Sequence, residues 1–324
     1  MGSRSITMSA ADARPVRGRL APSPTGAQHL GNARTYLIAW LDAKSRGGKM
    51  VLRIEDIDTG RLKPGAADQI IEDLQWLGLT WDEGPFFQSQ RLPVYREALD
   101  RLKAAELVYP CVCSRADILN AASAPHAGQE GITYPGTCSG FRAGDAANLT
   151  KPYAWRARFD RASSFTDRFH GPTLWEPSQI GGDFVVWRND DTPAYQLAVA
   201  VDDAAMGITD VIRGDDLLSS TPKQLWIDES LKLTSPTWMH VPLVVNTEGK
   251  RFAKRDGDVQ LKHLRSASVK AEAVIGLLAW SCGWLEKPIP ITVNELLPVY
   301  RPELITRNPW VVSQNVLAQI VDLP

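Results

Sequence analysis

An α/β fold is predicted for this chain of 324 residues by the alternation of strands and helices in its N-terminal part. A short β-type run ends between Gly18 and Ala21, and helical periodicity begins near Leu30. A second strand covers Lys49–Ile54, and a helix follows from about Pro64 to Leu77. Strands that alternate with helices are typical of an open sheet with helices on its faces.

The turn between the first strand and the first helix is suited to bind an anion. Pro22 and Pro24 keep the chain extended, and Gly26 permits a tight bend. The helix that follows directs unsatisfied N–H groups and the positive end of its dipole toward the space above the strand. His29 adds a donor that can become cationic, and Gly31 lets a flat ligand approach the backbone. A nucleotide is the ligand that this arrangement favours.

Carboxylates follow the second strand, at the edge where open α/β sheets bind ligands. Glu55, Asp56 and Asp58 can form salt bridges, coordinate a metal or bind a cationic group of a substrate. The residues alone favour salt bridges, with Arg53 or Arg61 as partners.

The middle of the chain supplies further strands and an arginine. Two apolar segments, 183–188 and 194–201, bracket Asn189–Pro193 and predict a β-hairpin. Ile208–Ile212 then leads into Arg213. A guanidinium group recognises a carboxylate by paired hydrogen bonds, although a single arginine is more often part of a surface ion pair.

Composition sets limits on the function. The hydrophobic content of 44% and the 11 tryptophans permit a large core divided into two or three units. The formal net charge is only −1, so contact with nucleic acid requires a local basic face. The N-terminal residues 1–14 are predicted to be a flexible tail because they lack the apolar segment of a signal peptide. No apolar run approaches the roughly 18 to 20 residues of a membrane span, so we expect a soluble cytoplasmic protein.

The cysteines suggest a metal site. Cys111 and Cys113 form a Cys-x-Cys pair, Cys138 follows, and Cys282 lies alone in an apolar helix. Three thiolates and one oxygen or nitrogen ligand would complete a tetrahedral zinc site, for which His126 is one candidate fourth ligand. Reduced structural cysteines remain an alternative, as does a Cys111–Cys138 disulfide, which a cytoplasmic location disfavours.

The first turn resembles the HIGH signature of class I aminoacyl-tRNA synthetases, specifically of their glutamyl branch. Within Pro22–Asn32, the four residues from His29 to Asn32 occupy the HIGH positions. By itself such a short match is more typical of a loop before a core helix.

A second segment supports the same resemblance. Residues 251–255, Arg-Phe-Ala-Lys-Arg, follow the apolar run Val241–Val245 and resemble the KMSKS loop of that class. Arg251 replaces the first lysine of the motif and Ala253 replaces the serine. Cations in such a loop stabilise the negative charge that adenylate formation places on the α-phosphate and the pyrophosphate, and Lys254 is the expected phosphate contact. In isolation the segment would be a solvated basic loop.

The resemblance implies a Rossmann-like class I catalytic core with a defined set of site residues. Glu55 is expected to bind the α-ammonium group of glutamate. The implied glutamate-binding residues are Arg19, Ala21, Ser23, Glu55, Tyr195 and Arg213. The implied ATP-binding residues are Pro22, Thr25, His29, Gly31, Asn32, Arg251 and Lys254, of which His29 and Lys254 are catalytic. Mg²⁺ is expected with ATP.

The cysteine pattern resembles that of the glutamyl-queuosine tRNA(Asp) synthetase family, and this resemblance narrows the choice of zinc ligands. Members carry Cys-x-Cys followed by Tyr-x-x-x-Cys, which implies one structural zinc held by Cys111, Cys113, Tyr134 and Cys138. The long segment 116–133 leaves His126 as an alternative to Tyr134.

The C-terminal part is expected to lack an anticodon-binding domain. Discriminating glutamyl-tRNA synthetases continue past the KMSKS-like loop with a sizeable helical region. Here we predict only an apolar helix around Ala271–Trp284, a proline-containing segment and a final helical stretch after Pro309. The expected units are a tail at 1–15, the first half of the catalytic domain at 16–108, an inserted zinc-binding subdomain at 109–150, the rest of the catalytic domain at 151–267 and a short helical C-terminal region at 268–324.

The function that this resemblance implies is tRNA-independent activation of L-glutamate by ATP, followed by transfer of the glutamyl group to queuosine at the wobble position of tRNA(Asp). The expected protein is a cytoplasmic monomer with no membrane partner. Three alternatives stay open. They are a truncated glutamyl-tRNA synthetase that charges the 3′ end of tRNA(Glu) or tRNA(Gln), a nucleotidyltransferase without an RNA partner, and a noncatalytic RNA-binding relic.

Overall fold

A computed structural model describes residues 14–121, 133–250 and 260–313. The strands are β1 Arg17–Leu20, β2 Lys49–Ile54, β3 Glu83–Phe87, β4 Val108–Cys111, β5 Ala154–Ala157, β6 Ser163–Asp167, β7 Gly171–Trp175, β8 Val185–Trp187, β9 Asp210–Gly214, β10 Thr237–Val241, β11 Val244–Val245 and β12 Trp310–Val311. The helices are α1 Leu30–Ser45, α2 Ala66–Trp76, α3 Leu92–Ala104, α4 Arg115–Ala121, α5 Tyr195–Ala205, α6 Thr221–Leu231, α7 Leu261–Ser266, α8 Ala271–Ser281 and α9 Val293–Leu296.

Parallel strands form the centre of the fold. β1, β2 and β3 pair in that order, and β9 pairs with β10. The two groups meet beside β1, where the Thr209 N–H donates to the Arg17 carbonyl oxygen over 2.9 Å. The predicted β1, β2 and α1 are therefore confirmed, and the carboxyl ends of parallel strands lie along one edge.

Helix α1 is buried on nearly all sides, because it lies against both β1 and α8. Its buried polar side chains form specific bonds. The Arg34 guanidinium donates to the Ser281 hydroxyl in α8 over 3.1 Å and to the Pro242 carbonyl oxygen over 2.9 Å. Asp42 accepts two hydrogen bonds from Arg168, of 2.6 and 2.8 Å. These bonds attach both ends of the helix to distant parts of the chain.

Helix α2 lies within the predicted 64–77 segment and buries Ile70 and Leu74. Gly78 follows it with a φ of +75°, a left-handed conformation that favours glycine at helix ends.

The predicted hairpin across residues 183–201 is confirmed only at its turn, where Trp187 and Pro193 form an isolated antiparallel bridge. The predicted second strand is wrong, because β8 pairs with β5 and Tyr195–Ala205 is the helix α5. Five consecutive residues of α5, from Leu197 to Val201, are buried. A helix covered on all sides has no polar face, so its sequence lacks the 3.6-residue period and resembles a buried strand.

A second, antiparallel sheet contains β4, β5 and β8, and β6 and β7 form a separate hairpin. Helix α4 occupies the beginning of the long segment 116–133. The cysteine pair begins at the end of β4, where Cys111 lies opposite Ala154 of β5.

In the C-terminal part, the predicted apolar helix is confirmed as α8, but the chain after Pro309 begins as a strand. β12 pairs in parallel with β11, with the Trp310 N–H donating to the Leu243 carbonyl oxygen over 2.9 Å. The run Trp-Val-Val favours extended structure, and the edge of β11 supplies the hydrogen bonds. The rest of the predicted final helix, from residue 314, lies outside the described residues.

Across residues 14–121, 133–250 and 260–313, no helix combines the length and apolarity that crossing a bilayer requires.

Leu37→Ala should lower the free energy of unfolding by about 2–5 kcal/mol, because Leu37 is fully buried in α1 and its truncation leaves a cavity. Urea denaturation measures the change. Leu174→Ala is the matched control, since Leu174 is 66% exposed and should change stability by at most about 0.5 kcal/mol. Equal effects of the two substitutions would contradict this packing.

Candidate active site

A cavity of about 700 Å³ opens where β1, β2 and β9 end and α1 begins. It brings together every predicted small-molecule site residue that the structure describes. These are Arg19, Ala21, Pro22, Ser23, Thr25, His29, Gly31, Asn32, Glu55, Tyr195 and Arg213. Arg251 and Lys254 lie outside the described residues, as does His126.

The first turn is held by a reciprocal cap at the start of α1. His29 Nδ1 accepts from the Gly31 N–H over 3.1 Å, and the His29 N–H donates to Asn32 Oδ1 over 3.2 Å. Because Nδ1 accepts a hydrogen bond, Nε2 carries the hydrogen in the neutral ring. A side chain at position 31 would place its Cβ 3.0 Å from the His29 ring and 3.3 Å from Val244 Cβ. Glycine therefore avoids tight contacts that would force the His29 ring or Val244 to shift.

Glu55 belongs to a buried ion network under the cavity. Arg53 is fully buried, and its guanidinium lies 3.1 Å from Glu55 and 2.7 Å from Asp203. Arg19 Nε lies 3.1 Å from the same Asp203 carboxylate. Sequence reasoning anticipated an Arg53–Glu55 contact but missed Asp203. The available signal was the pair Asp202–Asp203, which directly follows the apolar segment 194–201 that was predicted to be a strand.

Asp202 holds the other side of this network. It accepts hydrogen bonds from Arg91 over 2.7 Å, from the Tyr95 hydroxyl over 2.7 Å and from Gln88 over 2.9 Å. A buried carboxylate needs such partners to stay charged. These bonds attach α5 to α3 and fix the helix that carries Asp203.

The electrostatics differ between Glu55 and Asp203, two of the carboxylates that face Arg53. Burial raises the pKa of Glu55 above its ordinary value, against the opposing charges of Arg53 and Arg19. Burial also acts on Asp203, but Arg19 and Arg53 outweigh it and lower its pKa. Asp203 is thus neutralised by two cations. Glu55 is compensated less completely and would be stabilised by a further cation in the cavity.

Arg213 is a buried cation surrounded by neutral acceptors. It donates to His240 Nε2 over 2.9 Å, to Gln224 over 3.0 Å, to the Thr221 hydroxyl over 2.8 Å and to the Leu217 carbonyl oxygen over 3.3 Å. Burial lowers the pKa of Arg213. In the part of the chain that the structure describes, no carboxylate forms an ion pair with it. Its charge is therefore available to an anionic ligand.

Three cysteines form a separate cluster. The thiol sulfurs of Cys111, Cys113 and Cys138 lie within 4.8 Å of one another, with Cys113 and Cys138 separated by 3.6 Å. The Tyr134 hydroxyl lies 3.3 Å from Cys111 Sγ and 3.8 Å from Cys113 Sγ. Two sulfurs on one tetrahedral zinc are about 3.8 Å apart, given Zn–S bonds of about 2.3 Å. The three sulfurs fit a metal ion of this size, with the Tyr134 hydroxyl beside them.

The parallel sheet, the capped helix and the charged cavity define a nucleotide-binding catalytic domain of the class I synthetase type. A family described as tRNA synthetases class I (E and Q), catalytic domain, matches residues 15–290. A glutamyl-Q tRNA(Asp) synthetase of Symbiobacterium thermophilum is 46% identical over 94% of this chain and 98% of its own length. A second, of Deinococcus radiodurans, is 46% identical over 90% of this chain and 98% of its own.

A solved structure of a glutamate tRNA ligase is also similar to this chain. The crystal structure of a glutamate tRNA ligase from Elizabethkingia meningosepticum, in complex with its amino acid, superposes with a TM-score of 0.78. It is 27% identical, and the alignment covers 94% of this chain and 68% of that one. The chain belongs to the glutamyl-Q tRNA(Asp) synthetase family of class I tRNA synthetase catalytic domains.

Asp203→Asn should lower the free energy of unfolding by about 3–5 kcal/mol, because it leaves Arg19 and Arg53 buried without their shared counter-charge. Thermal and urea denaturation measure the loss. Glu229→Gln is the matched control. Glu229 pairs with Arg161 at the surface, where both side chains are more than half exposed, and its loss should cost at most about 1 kcal/mol. An Asp203→Asn protein as stable as the control would contradict the network.

Proposed function

We propose that this protein activates L-glutamate with ATP, without requiring tRNA for that step, and transfers the glutamyl group to queuosine at the wobble position of tRNA(Asp). One observation carries the proposal: a single cavity contains both an anion-binding helix start and charged groups that are complementary to glutamate. Glutamate has two carboxylates and one ammonium group, and Arg19, Arg213 and Glu55 match that set. The names of the relatives support transfer to tRNA(Asp).

The residues of the chain act by positioning and by charge stabilisation. Glu55 holds the α-ammonium group, and Arg213 and Arg19 direct the carboxylates, with the Tyr195 hydroxyl at the rim. In this proposal the start of α1 and His29 bind the phosphates, and positive charge is added by Arg251 and Lys254, which lie outside the described residues. When bound with ATP, Mg²⁺ masks phosphate charge.

An adenylyl transfer and then an acyl transfer follow from this arrangement. A glutamate carboxylate oxygen bonds to the α-phosphorus while the bond to pyrophosphate breaks. A queuosine hydroxyl then bonds to the acyl carbon, loses its proton, and AMP departs. The adenylate is already a reactive mixed anhydride, so no covalent enzyme nucleophile is needed. Charging of a tRNA 3′ end would use the same small-molecule residues, and only the RNA acceptor separates the two reactions.

We further propose that Cys111, Cys113, Tyr134 and Cys138 hold one structural zinc ion. Their convergence supports this assignment, and so does the position of Cys111 at the end of β4, which fixes the cluster against the antiparallel sheet. Zinc would close the 109–150 segment as a subdomain inserted into the catalytic domain. We expect the protein to act as a monomer in the cytoplasm, where tRNA is found.

Transfer of labelled glutamate tests the proposed function. The protein is incubated with ATP and bulk tRNA from cells that make queuosine and from cells that lack it. We expect label only in the queuosine-containing pool, and a Lys254→Ala control should label neither pool. Equal labelling of both pools would establish 3′-end charging instead, and glutamate-dependent ATP–pyrophosphate exchange without RNA would still separate an enzyme from a relic.

Glu55→Gln should raise the KM for glutamate in ATP–pyrophosphate exchange by about 10- to 100-fold, because a hydrogen bond to a charged group contributes about 1.5–3 kcal/mol. The KM for ATP should stay within about twofold. Glu229→Gln, distant from the cavity, should leave both values unchanged. An equal rise for both substrates would indicate a folding defect or a metal-binding role for Glu55.

Purified protein should contain one zinc per chain by atomic emission, and Cys113→Ser should contain much less because one thiolate ligand is lost. Cys282→Ala is the control. This cysteine is buried at the end of α8, outside the cluster, so its loss should leave the zinc content unchanged. Full zinc content in the Cys113→Ser protein would exclude the proposed ligand set.

A further inference from the structure

A chain of three buried side chains leads from the hairpin strand β6 to the cavity. Asp167 ends β6, and His240 and Arg213 lie opposite each other in the parallel strands β10 and β9. His240 Nδ1 lies 2.7 Å from Asp167 Oδ2, and Arg213 Nε donates to His240 Nε2 over 2.9 Å. Asp167 is 1% exposed, His240 0% and Arg213 5%. Of the three, only Arg213 lines the cavity.

The direction of each hydrogen bond is fixed by chemistry. An arginine nitrogen can only donate, so His240 Nε2 must accept and the ring hydrogen must lie on Nδ1, facing Asp167. The Thr221 hydroxyl accepts from Arg213 Nη2 over 2.8 Å and lies 3.2 Å from the same Nε2. Burial lowers the pKa of His240 to about 4, so the ring stays neutral near pH 7 and keeps its accepting nitrogen.

Asp167 is itself held rigidly. Besides the His240 ring, its carboxylate accepts from the backbone N–H groups of Phe169 and His170, each over 2.9 Å, and from that of His240 over 3.1 Å. Burial acts against the charge, but these bonds together lower the pKa of Asp167. A charged, immobile Asp167 fixes both the orientation and the tautomer of His240.

As a consequence, the orientation of the Arg213 guanidinium group is fixed while its positive charge is not neutralised. His240 occupies its Nε–H, and Gln224 and Thr221 occupy part of its Nη groups. All of these acceptors are neutral. The charge of Asp203 also acts on Arg213, so a guanidinium released from His240 would be drawn toward an internal carboxylate and away from a ligand.

We propose that His240 and Asp167 are positioning residues for carboxylate recognition by Arg213. His240 holds the guanidinium from behind through Nε and leaves its positive charge for the substrate, and Asp167 holds the histidine in the tautomer that this requires. The inference rests on the proposed activation of glutamate and adds two residues that do not touch the substrate.

The test is glutamate-dependent ATP–pyrophosphate exchange with four variants. His240→Leu removes the accepting nitrogen and should raise the KM for glutamate by about 10- to 100-fold, while the KM for ATP changes less than about twofold. His240→Gln places an amide oxygen near the former Nε2 and should recover most of the loss. Asp167→Asn keeps the side-chain shape but lets an amide donate to Nδ1, which moves the ring hydrogen to Nε2, and it should also raise the glutamate KM. If His240→Leu fails to fold, the Asp167→Asn variant tests the same proposal.

The fourth variant combines His240→Leu with Arg213→Met and is compared with Arg213→Met alone. It separates positioning from a purely structural role. In an Arg213→Met background, His240→Leu should raise the glutamate KM no further, because its effect passes through the arginine. An unchanged glutamate KM in His240→Leu or Asp167→Asn, equal losses for glutamate and ATP, or additive effects with Arg213→Met would each overturn the inference while leaving the proposed function intact. Absence of exchange in the unmodified enzyme would overturn both.

Discussion

The ion pair between Arg53 and Asp203 is the interaction on which the site depends. It joins the end of β2 to α5 across 2.7 Å, with both side chains almost fully buried. Charges in such surroundings are tolerated only when they are paired, and removing one partner costs far more than the pair itself contributes. The position of α5 is therefore tied to the charge of a strand residue. Arg19 and Glu55, which flank the pair, take their places at the cavity from it.

This network separates two kinds of arginine. Arg19 shares Asp203 with Arg53, so much of its charge is satisfied inside the protein. Arg213 forms hydrogen bonds only to neutral groups among the described residues, and no ion pair there neutralises its charge before an anion binds. Arg61 and Asp216 also line the cavity. A cavity in which Arg19 is paired, Arg213 is unpaired and Glu55 is incompletely compensated suits a zwitterionic ligand with an extra carboxylate. That description fits glutamate better than a neutral amino acid.

Local sequence patterns correctly predicted the turns, strands and helices that depend on neighbouring residues. The proline-containing turn, the helix that begins near Leu30, the strand before Glu55 and the apolar helix α8 all appear at their predicted places. The failures concern burial and distance. The sequence of helix α5 lacks a 3.6-residue hydrophobic period because the helix is buried. It was therefore predicted to be a strand, and Asp203 was not predicted to be a site residue. Asp203 lies 150 residues from Arg53, and Asp167 lies 73 residues from His240, so no spacing rule could pair them. The strand after Pro309 forms because β11 offers an edge.

A crystal structure of the enzyme with L-glutamate alone would test the central claim most directly. The account predicts that the α-ammonium nitrogen lies within about 3.2 Å of a Glu55 oxygen and that one carboxylate receives N–H donors from Arg213, with the Arg53–Asp203 pair intact beneath them. Glutamate bound with its ammonium group away from Glu55, or an Arg213 that stays turned from both carboxylates, would contradict the account.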